Sequence, residues 1–351
     1  MKLDLMTAGM PLRAVQQLAR HATEAGFAGL VITEAGRTPY LSAAAAALAA
    51  DLDILTGIAV AFPRSPMVTA QVAWELAEAS DGRFRLGLGT QVRAHIERRY
   101  GVDFDPPGPR MLDYLLAVRD CFAAFRTGEL SHHGEFYDLS LLPPMWSPGP
   151  ISAPDPPIDL AAVNPWMLRV AGAHADGVHV HPLNTSTYLR QTVLANLATG
   201  AATAGRSVAD LEVIVPAFIV AGDSDDDRSR WRELARMQIA FYGSTPNYSF
   251  IFDQIDRPGT TAALRERQRQ GDLAGMAALI DDDMLAEFVV EGSWSGIADA
   301  IADRYDGIAT RVVNYFGAIA WADEPVSMRP WRDITRSLAT CGHLTAVGHC
   351  V

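Results

Sequence analysis

Lysine is nearly missing from this chain. It occurs once in 351 residues, at Lys2, and arginine supplies the remaining cations. A Walker-type phosphate loop and Schiff-base chemistry both need a lysine at a strand or loop end, and Lys2 precedes the first strand, so both are excluded. Cysteine is scarce too: Cys121, Cys341 and Cys350 have no metal or redox spacing, and their odd number argues against a disulfide framework. Structural or incidental roles are expected for them, as for most free thiols. No apolar run reaches the ~18 residues of a membrane span, and no charged flank precedes a signal-like core, so a cytoplasmic protein is expected. Positive charge is in deficit. A formal net charge of −12 disfavours nucleic acid and anionic membranes as partners and leaves a small-molecule substrate as the expectation. The dinucleotide fingerprint also fails, because Val92 stands where a third glycine should follow Gly87 and Gly89.

What is present is a β/α rhythm in a chain with 49% hydrophobic residues, enough for a sizeable core. Near-continuous apolar strands are expected at 2–8, 29–35, 53–62, 83–90, 157–163, 177–183, 212–222 and 311–318, with helical periodicity between most of them. Eight such units, covered on both faces, predict an α/β fold of the (β/α)8 TIM-barrel kind; an open doubly wound sheet is the alternative. Two stretches break the rhythm and read as insertions after strands 4 and 7: a proline-rich excursion at about 129–157 and a helical one at about 244–292. No linker divides residues 1–351, so a single domain is expected.

In such barrels ligands bind where the strands end. The end of the fourth strand offers Gly89, Thr90 and Gln91, followed by His95 and the cations Arg93, Arg98 and Arg99, which face an anionic ligand or merely solvent. At the fifth, Val163 and Asn164 precede Pro165, so their amides open a helix N-terminus to an anion, or Asn164 simply caps it. His179 and His181 share one face of the sixth strand, as a metal pair would, but third and fourth ligands are missing, and a hydrogen-bonding role is favoured. Glu34 ends the second strand, where a desolvated carboxylate suits acid–base work; the plain alternative is a pair with Arg37.

Residues 59–101, with the proline turn, the following helix, the Ser80, Gly82, Arg83, Phe84 turn and the glycine loop, resemble the bacterial-luciferase-like superfamily. Within it, the chain looks most like oxidoreductases that use the deazaflavin coenzyme F420; 173–183 and 289–316 match the sixth and last units. The resemblance implies a barrel holding F420, or alternatively FMN, with Thr90, Gln91, Val163 and Asn164 as phosphate supports. It implies a non-proline cis peptide at Ala59–Val60 buttressing the ring, with Val60 pressed toward it, and a homodimer. Many relatives place a histidine after the strand-two acid, but Ala35 stands here, so Glu34, His95 or a substrate group must handle protons; Glu34 is the favoured acid–base or positioning group, with His95 or His181 hydrogen-bonding cofactor or substrate. The leading expectation is hydride transfer between F420 and a small organic alcohol, carbonyl or activated alkene. An FMN-dependent monooxygenase, a metal-dependent barrel hydrolase and a non-catalytic flavin-binding scaffold are the alternatives.

Overall fold

A computed structural model describes residues 1–344, the side chains of 341–344 excepted, so Cys341's side chain and Cys350 lie outside the described residues. Eight strands form the barrel: β1 (Lys2–Thr7), β2 (Gly29–Ile32), β3 (Asp53–Thr56), β4 (Phe84–Gly89), β5 (Ile158–Ala161), β6 (Gly177–His179), β7 (Glu212–Ala221) and β8 (Arg311–Asn314). Each pairs in parallel with its neighbours, and β8 pairs with β1, which closes the ring as the rhythm predicts. The expected third strand, 53–62, is broken. β3 stops at Thr56, Gly57–Ile58 is a cis peptide, and Ala59–Val60 then pairs with Leu88 and Gly89 of β4.

Alternation along the strands divides the apolar residues between two cores. Met6, Val31, Leu55, Ile214 and Val313 point inward and fill the barrel. Leu3, Leu5, Leu30, Ile32, Leu86 and Leu88 point outward into the larger core beneath the helices. The amino-terminal end of the barrel is sealed by charge: Arg311, only 1% exposed, donates to both Asp4 oxygens at 2.7 Å and to Asp53 at 2.7 Å. Arg85 likewise holds Asp159. Such pairs survive burial because each charge is matched and hydrogen-bonded.

Both insertions begin after the helix that follows their strand. The first folds a hairpin, His132–His133 against Asp138–Leu139, onto the helix Pro107–Thr127, where His132 sits between Asp113 and Asp120 at 2.9 and 2.7 Å. The second follows the helix Asp225–Gly243 with short helices, then the strand Val289–Gly292, which pairs with Phe218–Ala221 at the end of β7. Cys121 is buried and free. No helix among the described residues is long and apolar enough to cross a membrane.

Candidate active site

The glycines that end β4 answer to packing. A Cβ on Gly87 would lie 1.9 Å from the Thr56 carbonyl and 2.5 Å from Nε2 of His179, and one on Gly89 would lie 2.9 Å from Ile58. His179 thus reaches across the barrel into space that Gly87 and Gly57 leave open. Its Nε2 is buried without a partner, 4.0 Å from Asp159, and burial pushes its pKa down to about 3. The loop beyond has Gln91 in the left-handed region, φ 58°, with its side-chain oxygen accepting from the Val92 amide. Few non-glycine residues adopt that conformation.

Glu34 is fully engaged at the mouth. Oε2 accepts from the Val60 amide at 2.7 Å and from Arg64 at 2.9 Å, while Oε1 accepts from Arg64 at 2.6 Å. Arg64 also donates to the Val60 carbonyl at 2.8 Å and lies over the Tyr40 ring. The expected alternative partner, Arg37, makes none of these bonds. The carboxylate instead clamps the turn after β3. The expected cis position is corrected accordingly: the cis peptide is Gly57–Ile58, because Ala59 and Val60 must stay extended to pair with β4. The Val60 side chain is 1% exposed and belongs to the outer core, so it does not press into the mouth.

On the β4–β5 side, Asn164 caps the helix Pro165–His174 by accepting from Met167 at 2.9 Å. The amides of Val163, Asn164 and Trp166 have no partner among the described residues, and the Val163 carbonyl accepts from Tyr188 at 2.8 Å. This is an N-terminus with donors to spare. The cations beside it are less free than their number suggests. Arg93 pairs with Glu97 and Asp105, and Arg99 donates to the Ala35 carbonyl while lying over Tyr100. Arg98 makes no ion pair or side-chain hydrogen bond among the described residues, and His95 is exposed on a one-turn helix. Between 93 and 105 three arginines face three carboxylates, Glu97, Asp103 and Asp105.

The opposite wall is aromatic. His181, two residues above His179 on the same face, lies with its ring centroid 4.7 Å from that of Tyr242 and 4.4 Å from that of Tyr248. Its Nδ1 accepts from the Leu183 amide at 3.1 Å, which assigns the ring proton to Nε2. Burial pushes its pKa down to about 3. Tyr242 and Tyr315 share a 2.6 Å hydrogen bond, and Tyr315 donates to Gln238 at 3.2 Å. Tyr315 packs on the inner barrel core, which puts this wall directly above it. Burial raises the pKa values of Tyr242, Tyr315 and Tyr248, the last to about 12, so all three stay neutral. The structure therefore separates the two histidines of the sixth strand: one is enclosed in the barrel, the other is at its mouth. Among the described residues, no three His, Cys, Asp or Glu side chains gather as a metal site would require.

Sequence reasoning missed Arg64, which carries no local signal of pairing with Glu34. Tyr242, Tyr248 and Tyr315 come from segments far apart in the chain and carry no local signal of meeting His181.

Comparison with known proteins agrees with the architecture. Residues 2–311 match the family model described as luciferase-like monooxygenase. An uncharacterized protein of Mycobacterium tuberculosis is 37% identical over 310 residues, covering 86% of this chain and 91% of its own. The 5,10-methylenetetrahydromethanopterin reductase of Archaeoglobus fulgidus is 26% identical over 263 residues, 73% of this chain and 74% of the reductase. Among solved structures, the coenzyme F420 dependent tetrahydromethanopterin reductase from Methanopyrus kandleri superposes with a TM-score of 0.78 at 18% identity, covering 97% of this chain and 99% of that one. A type II Baeyer–Villiger monooxygenase from Pseudomonas putida in complex with FMN gives 0.68 at 16% identity, covering 97% and 98%. The family match over residues 2–311, with a relative 37% identical along most of both chains, makes this chain a member of the luciferase-like monooxygenase family, whose enzymes are flavin- or deazaflavin-dependent oxidoreductases.

Proposed function

We propose that this protein is an F420-dependent oxidoreductase acting on a small organic alcohol, carbonyl or activated alkene. The observation that carries the reading is the cluster of unpartnered amides at Val163, Asn164 and Trp166 beside the Gly89–Gln91 loop. These are the donors a phosphate-bearing cofactor needs. The fold likeness to an F420-dependent reductase supports the same reading. When bound, the cofactor supplies the hydride chemistry. The chain's own residues do the rest. Val163, Asn164 and Trp166 would hold the phosphate through their amides, and Arg98 would supply positive charge for the acidic tail. Glu34 and Arg64 hold the turn after β3 in place, so Glu34 is a positioning residue here. His181, Tyr248 and Tyr315 line the side where a substrate is oriented, and the aromatic rings exclude water.

A second reading, FMN as cofactor, is favoured by one observation: the arginines near the loop are matched by carboxylates, which suits a single phosphate better than a polyanionic tail. Titration of the purified protein with F420 and with FMN, followed by fluorescence, separates the two. Saturable binding of F420 with weak FMN binding is the expected result. Tight binding of FMN alone overturns the proposal in favour of a monooxygenase, and binding of neither overturns both.

A further inference from the structure

The wall formed by His181, Tyr242, Tyr248 and Tyr315 has a property that the rest of the mouth lacks. It carries polar groups but no charge. Desolvation alone depresses the pKa of His181, with no contribution from any charged group. Its ring packs on Tyr242 and Tyr248, from the helix Asp225–Gly243 and the insertion after it, both held neutral by burial. The turn below is pinned as well. Asn184 donates to the carbonyls of His181, Pro182 and Pro216 at 3.0, 3.2 and 2.9 Å, so the imidazole sits on a fixed backbone. With Nδ1 occupied by Leu183, the one donor left on the ring is Nε2–H, which has no partner among the described residues. The Tyr248 hydroxyl, on the ring packed against it, has none either.

Resting on the proposed oxidoreductase reading, we infer that His181 Nε2–H and Tyr248 Oη–H hold the oxygen of an uncharged ketone or secondary alcohol whose apolar body lies against the tyrosines. Each part of this follows from chemistry already described. A neutral imidazole with a fixed tautomer is a donor only, so it recognises an acceptor oxygen. A carboxylate or ammonium on the substrate would lose its hydration and find no counter-charge on this wall, a loss larger than one hydrogen bond returns. An aromatic-lined cleft with few convergent polar groups is the usual form of a selective small-molecule site. His181 is thus the specificity-determining residue.

The test reads tautomer and selectivity separately from cofactor binding. In protein labelled with ¹⁵N-histidine and free of cofactor, the His181 resonance is identified by its loss in His181→Gln. It is expected to stay neutral, with the proton on Nε2, from pH 5 to 8; a titration midpoint inside that range, or a proton on Nδ1, overturns the inference. In the F420-loaded protein, acetophenone, benzoate and benzamidinium serve as neutral, anionic and cationic probes of one shape. Acetophenone is expected to bind at least tenfold tighter than either ion, to shift the Nε2 signal, and to lose about tenfold in His181→Leu, with most of that regained in His181→Gln. Acetophenone binding no tighter than benzoate, or not binding at all, overturns it. Because the tautomer needs no cofactor, a failed F420 titration sinks the oxidoreductase reading without touching the histidine result.

Discussion

Removing the charge of Glu34 distinguishes a clamp from a catalyst. The carboxylate accepts three hydrogen bonds, two from Arg64 and one from the Val60 amide, and its side chain is 4% exposed against 19% for Arg64. In Glu34→Gln the amide keeps the shape but loses the charge, and its NH2 group cannot accept from Arg64. Hydrogen bonds to charged groups contribute ~1.5–3 kcal/mol each, and a neutral amide recovers part of one, so a loss of ~2–3 kcal/mol is expected. Arg64→Met strands a buried carboxylate and is expected to cost more, ~3–5 kcal/mol. The double variant should be less damaged than the sum, because each change removes the reason the other is costly. Urea unfolding followed by circular dichroism, with an unchanged slope and a lowered midpoint, measures all three. If Glu34→Gln unfolds within ~0.5 kcal/mol of wild type while turnover falls ~10²–10⁴-fold, the clamp is refuted and the carboxylate is an acid–base group.

Three further outcomes are expected. A Cβ at Gly87 meets a backbone oxygen at 1.9 Å that cannot retreat, so Gly87→Ala should lose ~3 kcal/mol or more, or fail to accumulate as soluble protein. Gly101→Ala, with φ 70° and open space around it, should lose only ~1 kcal/mol; equal losses in urea melts refute the packing account. Burial holds His179 at about 3 in the folded protein, against ~6.5 unfolded, so the unfolded chain takes a proton that the folded one refuses. Stability is then full above pH ~6.5 and falls toward pH 3 by up to ~1.4 kcal/mol per unit. His179→Gln should flatten this slope relative to wild type, and parallel slopes refute it. Arg98→Gln should weaken F420 binding more at low salt than at high salt, whereas Arg93→Gln, already paired with two carboxylates, should change it little; the reverse order refutes the assignment.

The β/α rhythm was legible because strands covered on both faces are apolar throughout, and all eight fall within their expected spans. The pairings across the mouth were not. Glu34 and Arg64 are 30 residues apart and meet only because β2 and β3 run side by side, while Arg37 is nearer in the chain and points elsewhere. The glycines of β4 invited a phosphate reading because sequence shows that a side chain is absent without showing what fills its place. Here His179, 92 residues on, fills the place beside Gly87, and Ile58 fills the place beside Gly89. The arginines after β4 were visible as charge. Their partners Asp105 and Ala35 depend on how the chain folds back, and no local pattern reports that.

The locked carboxylate on one side of the mouth and the charge-free wall on the other serve one end. An oxygen gaining negative charge during reduction is stabilised by fixed neutral donors that need not reorganise. A free carboxylate facing that oxygen would oppose it, the more strongly the lower the local dielectric. By spending Glu34 on Arg64 and Val60, the fold keeps an acid at the mouth from acting on the substrate, in a chain whose net charge is −12. Arg64→Met would release that acid without touching His181 or the amides at Val163 and Asn164. Its expected signature is therefore a loss of acetophenone binding, with F420 affinity changed less. Wild-type acetophenone affinity in Arg64→Met would show that Glu34 acts only on the turn after β3.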